Sequence, residues 1–252
     1  MSNAHPVRDQ DLLDEFYSFD IDLMKQIVGE DLHWHCITGE YDLDKPFERA
    51  IQDLYRYIEP GSTVLDCGTG WGGPGRMLQR DIGCQVEGVT VSKIGAAYCQ
   101  QFFPTMIADL NVWKPEKHYR TALFVESYAH MLSQALLNIR DNVDQIVMKD
   151  FVHRIPDYQE AYHLDPWHVS FRTIDMLSKD FQQAGFEIKE FEVEYDFWEP
   201  SLSFWYHNLI KFDINSLPPQ LQLTYGLTME YQSNPTAFDN FGFCTIHATR
   251  IQ

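Results

Sequence analysis

Short apolar runs with β character alternate along this chain with segments whose apolar residues recur at helical spacing. Thr63-Val64-Leu65 opens the first predicted strand, and strand, helix, strand follow through Val91. Residues 93–103 read as a short helix that Pro104 ends. Met106-Ile107-Ala108, Leu123-Phe124-Val125-Glu126 and Gln145-Ile146-Val147-Met148-Lys149-Asp150 read as the third, fourth and fifth strands. Upstream, residues 10–28 place Leu12, Phe16, Phe19 and Met24 on or near one stripe. Residues 47–58 read as a second helix with Pro46 near its first turn. Downstream, residues 174–184 are amphipathic and meet Gly185 in a C-cap role. Residues 187–194 and 241–248 read as closing strands, and the aromatic-rich stretch 197–231 between them as partly helical. Strands that alternate with helices predict an α/β, doubly wound, mostly parallel sheet covered on both faces.

Composition narrows the class. A chain of 252 residues, 44% hydrophobic and 22% charged, is globular and long enough for a substantial core. The formal net charge of −18 argues against nucleic acid and anionic membrane surfaces as partners, although solubility alone would also account for it. No apolar run approaches the roughly 18 residues that a bilayer span needs, and residues 1–8 lack a hydrophobic signal core. The five cysteines include no C-x-x-C pair, so neither zinc nor a disulfide framework is expected, and reduced thiols in a cytoplasmic setting are. The histidines and acids show no metal-ligand spacing.

The chemistry concentrates after the first strand. Asp66-Cys67-Gly68-Thr69-Gly70-Trp71-Gly72-Gly73 places four glycines within six residues behind an acid, and Arg76-Met77-Leu78-Gln79-Arg80 then reads as helix. Glycines there let the backbone turn tightly and approach a nucleotide-like ligand. No Gly-Lys-Ser/Thr follows, which argues against a P-loop, and Gly68, Gly70 and Gly73 match G-x-G-x-x-G, which alone is weak evidence for a dinucleotide. Asp66 suits a cation or a ribose. A tight β–α turn without a ligand is the plainer alternative.

Val-Leu-Asp-x-Gly-x-Gly-x-Gly-Gly resembles motif I of the class I S-adenosylmethionine (SAM) methyltransferases. Gly88-Val89-Thr90-Val91-Ser92 is similar to the Gly-Val-Thr-x-Ser signature of one subgroup, and Leu32-His33-Trp34-His35 to its Leu-His-x-Gly-Tyr segment. That subgroup holds cyclopropane-fatty-acid synthases, sarcosine/dimethylglycine N-methyltransferases and natural-product sugar O-methyltransferases. The resemblance implies a Rossmann-like core over residues 61–152, an N-terminal helical cap over 1–60, and over 153–252 a lid insertion followed by the closing hairpin. It implies SAM as cofactor, with Asp66 toward the amino group and Gly68 and Gly70 beneath the ligand. Thr90 and Ser92 fall near the ribose, Ser92 with a turn-stabilising alternative. Asp109 falls on the adenine amino group, with a helix N-cap as its alternative, and Leu110 beside the ring. Tyr17, His33 and Trp34 would close over the methionine end.

Glu126-Ser127-Tyr128-Ala129-His130-Met131 resembles the Glu-Ser-x-x-His-Met motif of the sugar O-methyltransferases, with Ala129 where a first histidine is often found. Lys149-Asp150-Phe151-Val152 resembles their Ala-Asp-Phe-Val. These imply Glu126 at the cofactor and His130 as a general base that Asp150 orients or assists. His153, His163 and His168 are candidate substrate contacts. The aromatics suit an ammonium cage, a stacked aromatic acceptor or simple lid filling. The expected function is SAM-dependent methylation of a small-molecule, natural-product-like acceptor, O-methylation first and N- or C-methylation next. A non-catalytic SAM-binding partner subunit and cyclopropane-type chemistry remain as alternatives, and a homo-oligomer stays open.

Overall fold

The computed structural model describes residues 20–29, 47–155, 169 and 171–251. Its strands are β1 Thr63–Cys67, β2 Gln85–Thr90, β3 Thr105–Ile107, β4 Tyr119–Val125, β5 Val143–His153, β6 Phe186–Glu194 and β7 Phe241–Arg250. They form one seven-stranded sheet in the order β3-β2-β1-β4-β5-β7-β6. β1 to β5 pair in parallel, and β7 runs antiparallel to both β5 and β6. The strand order reverses between β1 and β4, so their C-terminal ends open a crevice of the kind that binds ligands in such sheets.

Both sheet faces are buried, which explains the near-continuous apolar runs. Leu65, Phe124, Ile146 and Met148 pack on one side, and Val64, Leu123 and Val147 on the other. The described helices are α1 Ile21–Val28, α2 Glu48–Gln52, α3 Gly73–Ile82, α4 Lys93–Cys99, α5 Gln134–Ile139, α6 Ile174–Gln183, α7 Trp198–Leu209 and α8 Pro219–Ser233.

Three elements differ from the sequence reading. The helix expected over 47–58 stops at Gln52, and Tyr55–Tyr57 forms a separate 3-10 turn. There the Tyr55 and Tyr57 hydroxyls donate to Asp81 (2.7 Å) and Glu190 (2.8 Å), and these tertiary bonds outweigh the weak helix propensity of the segment. β5 runs through to His153 because β7 pairs with it from Gln145 to His153. The helical insertion α7–α8 joins β6 to β7, so it lies within the closing strand pair rather than before it. α7 packs on α8 and on α1. Trp71, from the glycine turn, is buried in the same cluster as Met24, Trp205, Leu209 and Leu221.

The turn after β4 is clamped from two sides. Glu126 adopts φ 51°, uncommon for a residue with a side chain. Its amide donates to the Lys149 carbonyl at 2.8 Å. A 3-10 turn, Tyr128–His130, follows. Asp150 on β5 is buried, and its carboxylate accepts the amides of Tyr128 (2.6 Å), Ala129 (3.2 Å) and Phe151 (2.8 Å). Burial pushes this carboxyl up to about 6, against the lowering effect of those amides and of Arg172. From the other side Arg172 donates to the carbonyls of Tyr128 (3.1 Å) and Met131 (2.6 Å). Its Nε pairs with Asp180 of α6 at 2.8 Å, and its guanidinium lies 4.2 Å from the Tyr128 ring centroid. Asp150 therefore holds backbone. Of the two roles the resemblance implied, orienting His130 or sharing its work, these bonds fit the first, through the turn that carries His130.

Removing one partner of a largely buried ion pair costs about 3–5 kcal/mol. Asp180 keeps some solvent contact, so Arg172→Ala should lose about 3 kcal/mol in equilibrium urea unfolding. Arg172→Lys restores the charge but not the planar fork, and should recover less than half of that loss. An unchanged midpoint for Arg172→Ala would contradict the clamp.

Candidate functional site

The glycine turn owes its shape to left-handed backbone at Gly68 (φ 78°), Gly70 (φ 53°) and Gly72 (φ 79°). The Gly68 amide donates to the Val89 carbonyl at 2.8 Å, tying the turn to β2. A Cβ on Gly68 would stand 2.6 Å from the Ser127 Cβ, so the turns after β1 and β4 meet here. The Ser127 hydroxyl donates to the Cys67 carbonyl at 2.6 Å across the same junction. Beside it, a Cβ on Gly95 would lie 2.5 Å from the Gly70 carbonyl oxygen, and its absence lets α4 rest on the turn.

Asp66 sits beneath this turn, almost fully buried. It accepts the Thr69 hydroxyl at 2.6 Å and the Gly75 amide in the first turn of α3. Burial pushes its carboxyl up to about 6, although both donors favour the charged form. Asp66 thus supports the turn and also lines the cavity above it.

That cavity, about 270 Å³, runs from the strand ends to the lid. Its polar half brings together Asp66, Gly68, Gly70, Thr90, Ser92 and Asp109. The Thr90 hydroxyl accepts the Ser92 amide at 3.2 Å, and the Ser92 hydroxyl caps α4 by accepting the Gly95 amide at 3.1 Å. Asp109 is half-buried and accepts the Asn111 amide at 2.8 Å. It closes a turn and caps no helix. Leu110 is buried behind it, its carbonyl held by the Asn138 side chain at 2.8 Å. Glu126 and His130 also line the cavity. Asp150 is not part of the wall. Tyr17, His33 and Trp34 lie outside the described residues, as do His163 and His168. His153 is buried outside the cavity wall, with Nδ1 against the Ile155 backbone.

Beyond Met131 the wall turns aromatic. Phe151 stands 5.8 Å from Phe171 and 6.1 Å from Trp198, and Trp198 stands 5.0 Å from Phe238 and 5.6 Å from Phe241, between ring centroids. Trp205 of α7 also reaches the cavity. Sequence reasoning missed Ser127, Arg172 and the particular rings of this chamber. Phe151 had a usable signal, since it follows Asp150 at a strand end. Arg172 had none, because the carbonyls it holds lie 41 and 44 residues away. Among the described residues, no group of three His, Cys, Asp or Glu gathers as a metal site, and no helix is long and apolar enough to cross a membrane.

The polar half has the parts that a sulfonium nucleoside needs. The backbone is left bare where a Cβ would collide, and acids stand at three strand ends. No protein-family model matches the chain. Two curated relatives do. The 2-methyl-6-phytyl-1,4-hydroquinone methyltransferase of Synechocystis is 26% identical over 194 residues, covering 68% of this chain and 59% of that protein. The 24-methylenesterol C-methyltransferase 3 of Arabidopsis thaliana is 31% identical over 86 residues, covering 33% and 24%. The chain thus spans less than two thirds of either relative. Among solved structures, the 4+2 cyclase SpnF matches with a TM-score of 0.81 at 17% identity, covering 97% of this chain and 98% of that one. The cyclopropane synthase MmaA2 of Mycobacterium tuberculosis matches at 0.79 and 14%, covering 99% and 100%. Methyltransferases acting on nitrogen and on carbon are among the further structures of this shape. The chain has the Rossmann-like fold of the class I SAM-dependent methyltransferases.

Proposed function

We propose that this chain is a SAM-dependent methyltransferase acting on a small molecule. The observation that carries the reading is one cavity whose wall includes the glycine turn, a set of aromatic rings and His130. A SAM-binding subunit without catalysis would need the first half only, so the chamber favours an enzyme. The acidic net charge weighs against a cyclopropane-type enzyme working on lipid chains.

When bound, SAM supplies an electrophilic methyl group on a sulfonium. The chain's own residues bind, orient and exclude water. The turn at Gly68 and Gly70 lets the backbone pass close under the cofactor, and Asp66 holds that turn and attracts its cationic amino acid end. Thr90 and Ser92 border the ribose, and Asp109 with Leu110 the adenine. Tyr17, His33 and Trp34 join this set on the resemblance alone. The aromatic chamber dries the acceptor side and holds the attacking atom in line, which supplies most of what methyl transfer needs. O-methylation is the first reading, because an imidazole in the cavity wall can take the proton from a hydroxyl. His130 is then the catalytic residue, and Asp150 and Arg172 are positioning residues for its turn. Amine or carbon acceptors make smaller demands on a base.

Asp66 ties binding to pH. Burial pushes its carboxyl up to about 6, and only its charged form attracts an ammonium. S-adenosylhomocysteine affinity should therefore fall as pH drops through that range, by about tenfold between pH 7.5 and pH 5. Asp66→Asn should flatten the profile, and calorimetry checks both. A flat wild-type profile contradicts the role given to Asp66. With a hydroxyl acceptor, His130→Ala should lower kcat by about a hundredfold and leave S-adenosylhomocysteine affinity unchanged. Equal turnover by the variant would move the acceptor atom to nitrogen or carbon.

A further inference from the structure

Among the described residues, the wall of the cavity offers no lysine or arginine to neutralise an anionic acceptor. Outside them the sequence holds only Arg8 and Lys45 of these two types. The acids of the wall, Asp66, Asp109 and Glu126, all stand at strand ends in the polar half or at its border. The chamber itself is closed by rings, by Leu202 and Leu227, and by the hydroxyls of Ser201 and Thr224. The Thr224 hydroxyl already donates to the Gln220 carbonyl at 3.0 Å. The buried indole N–H of Trp198 has no hydrogen-bond partner among the described residues.

Ring geometry bears on the cationic alternative. An ammonium cage needs π faces that converge on one point. Here Phe151 meets Phe171 at 81°, Phe171 meets Phe241 at 79°, and Trp198 meets Phe241 at 80°. In each edge-to-face pair, one ring's face is spent on its neighbour's edge. A carboxylate or phosphate ester would enter without a counter-charge, and a buried unpaired ion is strongly disfavoured.

We infer that the methyl acceptor is an uncharged aromatic or alicyclic molecule, with a neutral oxygen as its polar handle. This rests on the reading of the polar half as the cofactor site. The chamber selects by desolvation: rings and aliphatic side chains replace water around a hydrocarbon skeleton at no electrostatic cost, a negative charge on that skeleton meets no lysine or arginine among the described residues, and an ammonium finds ring faces already turned to their neighbours' edges.

Three probes share one skeleton and differ in charge: 2-naphthalenemethanol, 2-naphthoate and 2-naphthylmethylammonium. Each is titrated by calorimetry at pH 7.5 into the full-length protein saturated with S-adenosylhomocysteine. The alcohol should bind at least about tenfold tighter than either ion. Leu227→Lys, at a half-buried wall position, should reverse the order of alcohol and naphthoate, with folding checked by a thermal melt. Either ion binding as tightly as the alcohol overturns the inference. So does an unchanged order in folded Leu227→Lys, or no probe binding to protein that takes up S-adenosylhomocysteine. The last result leaves the cofactor reading standing, whereas failure to take up S-adenosylhomocysteine at all overturns that reading and this inference with it.

Discussion

Everything at this site depends on carboxylates taken out of water at strand ends. Asp66 closes β1 and Asp150 lies on β5, and both are almost wholly buried. Each is pushed up to about 6 by burial, and each offsets part of that cost by accepting hydrogen bonds from the loop it supports. Asp66 gathers the Thr69 hydroxyl and the Gly75 amide, and Asp150 gathers the amides of Tyr128, Ala129 and Phe151. The two loops they shape then touch at Gly68 and Ser127, where there is no room for a Cβ. Backbone is thereby brought to the crevice at the switch of strand order, and no flexible side chain fills it.

The second constraint is mechanical. Trp71 leaves the glycine turn and is buried with α1 and with Trp205 and Leu209 of the lid. This ring couples the turn to the lid, because a close-packed cluster does not deform smoothly. Trp205 also lines the cavity, so the cofactor half and the acceptor chamber share a wall. Arg172 completes the frame by joining α6, the turn after β4 and the aromatic face of Tyr128.

Much of this is legible in the residue order, for identifiable reasons. Strands buried on both faces read as apolar runs, and the glycines after Asp66 announce a turn that needs left-handed backbone. The end of β4 could be found because a whole string, Glu126 to Met131, carries the resemblance. The role of Asp150 could not be read, since a carboxylate that binds a substrate proton and one that binds three amides look alike in sequence. The split of 47–58 escaped because hydroxyl bonds from Tyr55 and Tyr57 to distant acids override local propensity. The stretch 197–231 was legible as partly helical between the closing strands, but the resemblance set the lid before them, and the helices themselves gave no firm bounds. Helices α7 and α8 face both the cavity and each other, so they lack the single apolar stripe that marks an ordinary surface helix.

The central claim is that the turn after β1 cradles a sulfonium nucleoside. A crystal structure of the protein grown with saturating S-adenosylhomocysteine tests it most directly. The expected result has the homocysteine end over Gly68 and Gly70 and the adenine against Asp109 and Leu110, with the sulfur facing the aromatic chamber. Well-ordered crystals with an empty crevice, or with the ligand bound elsewhere, would contradict it.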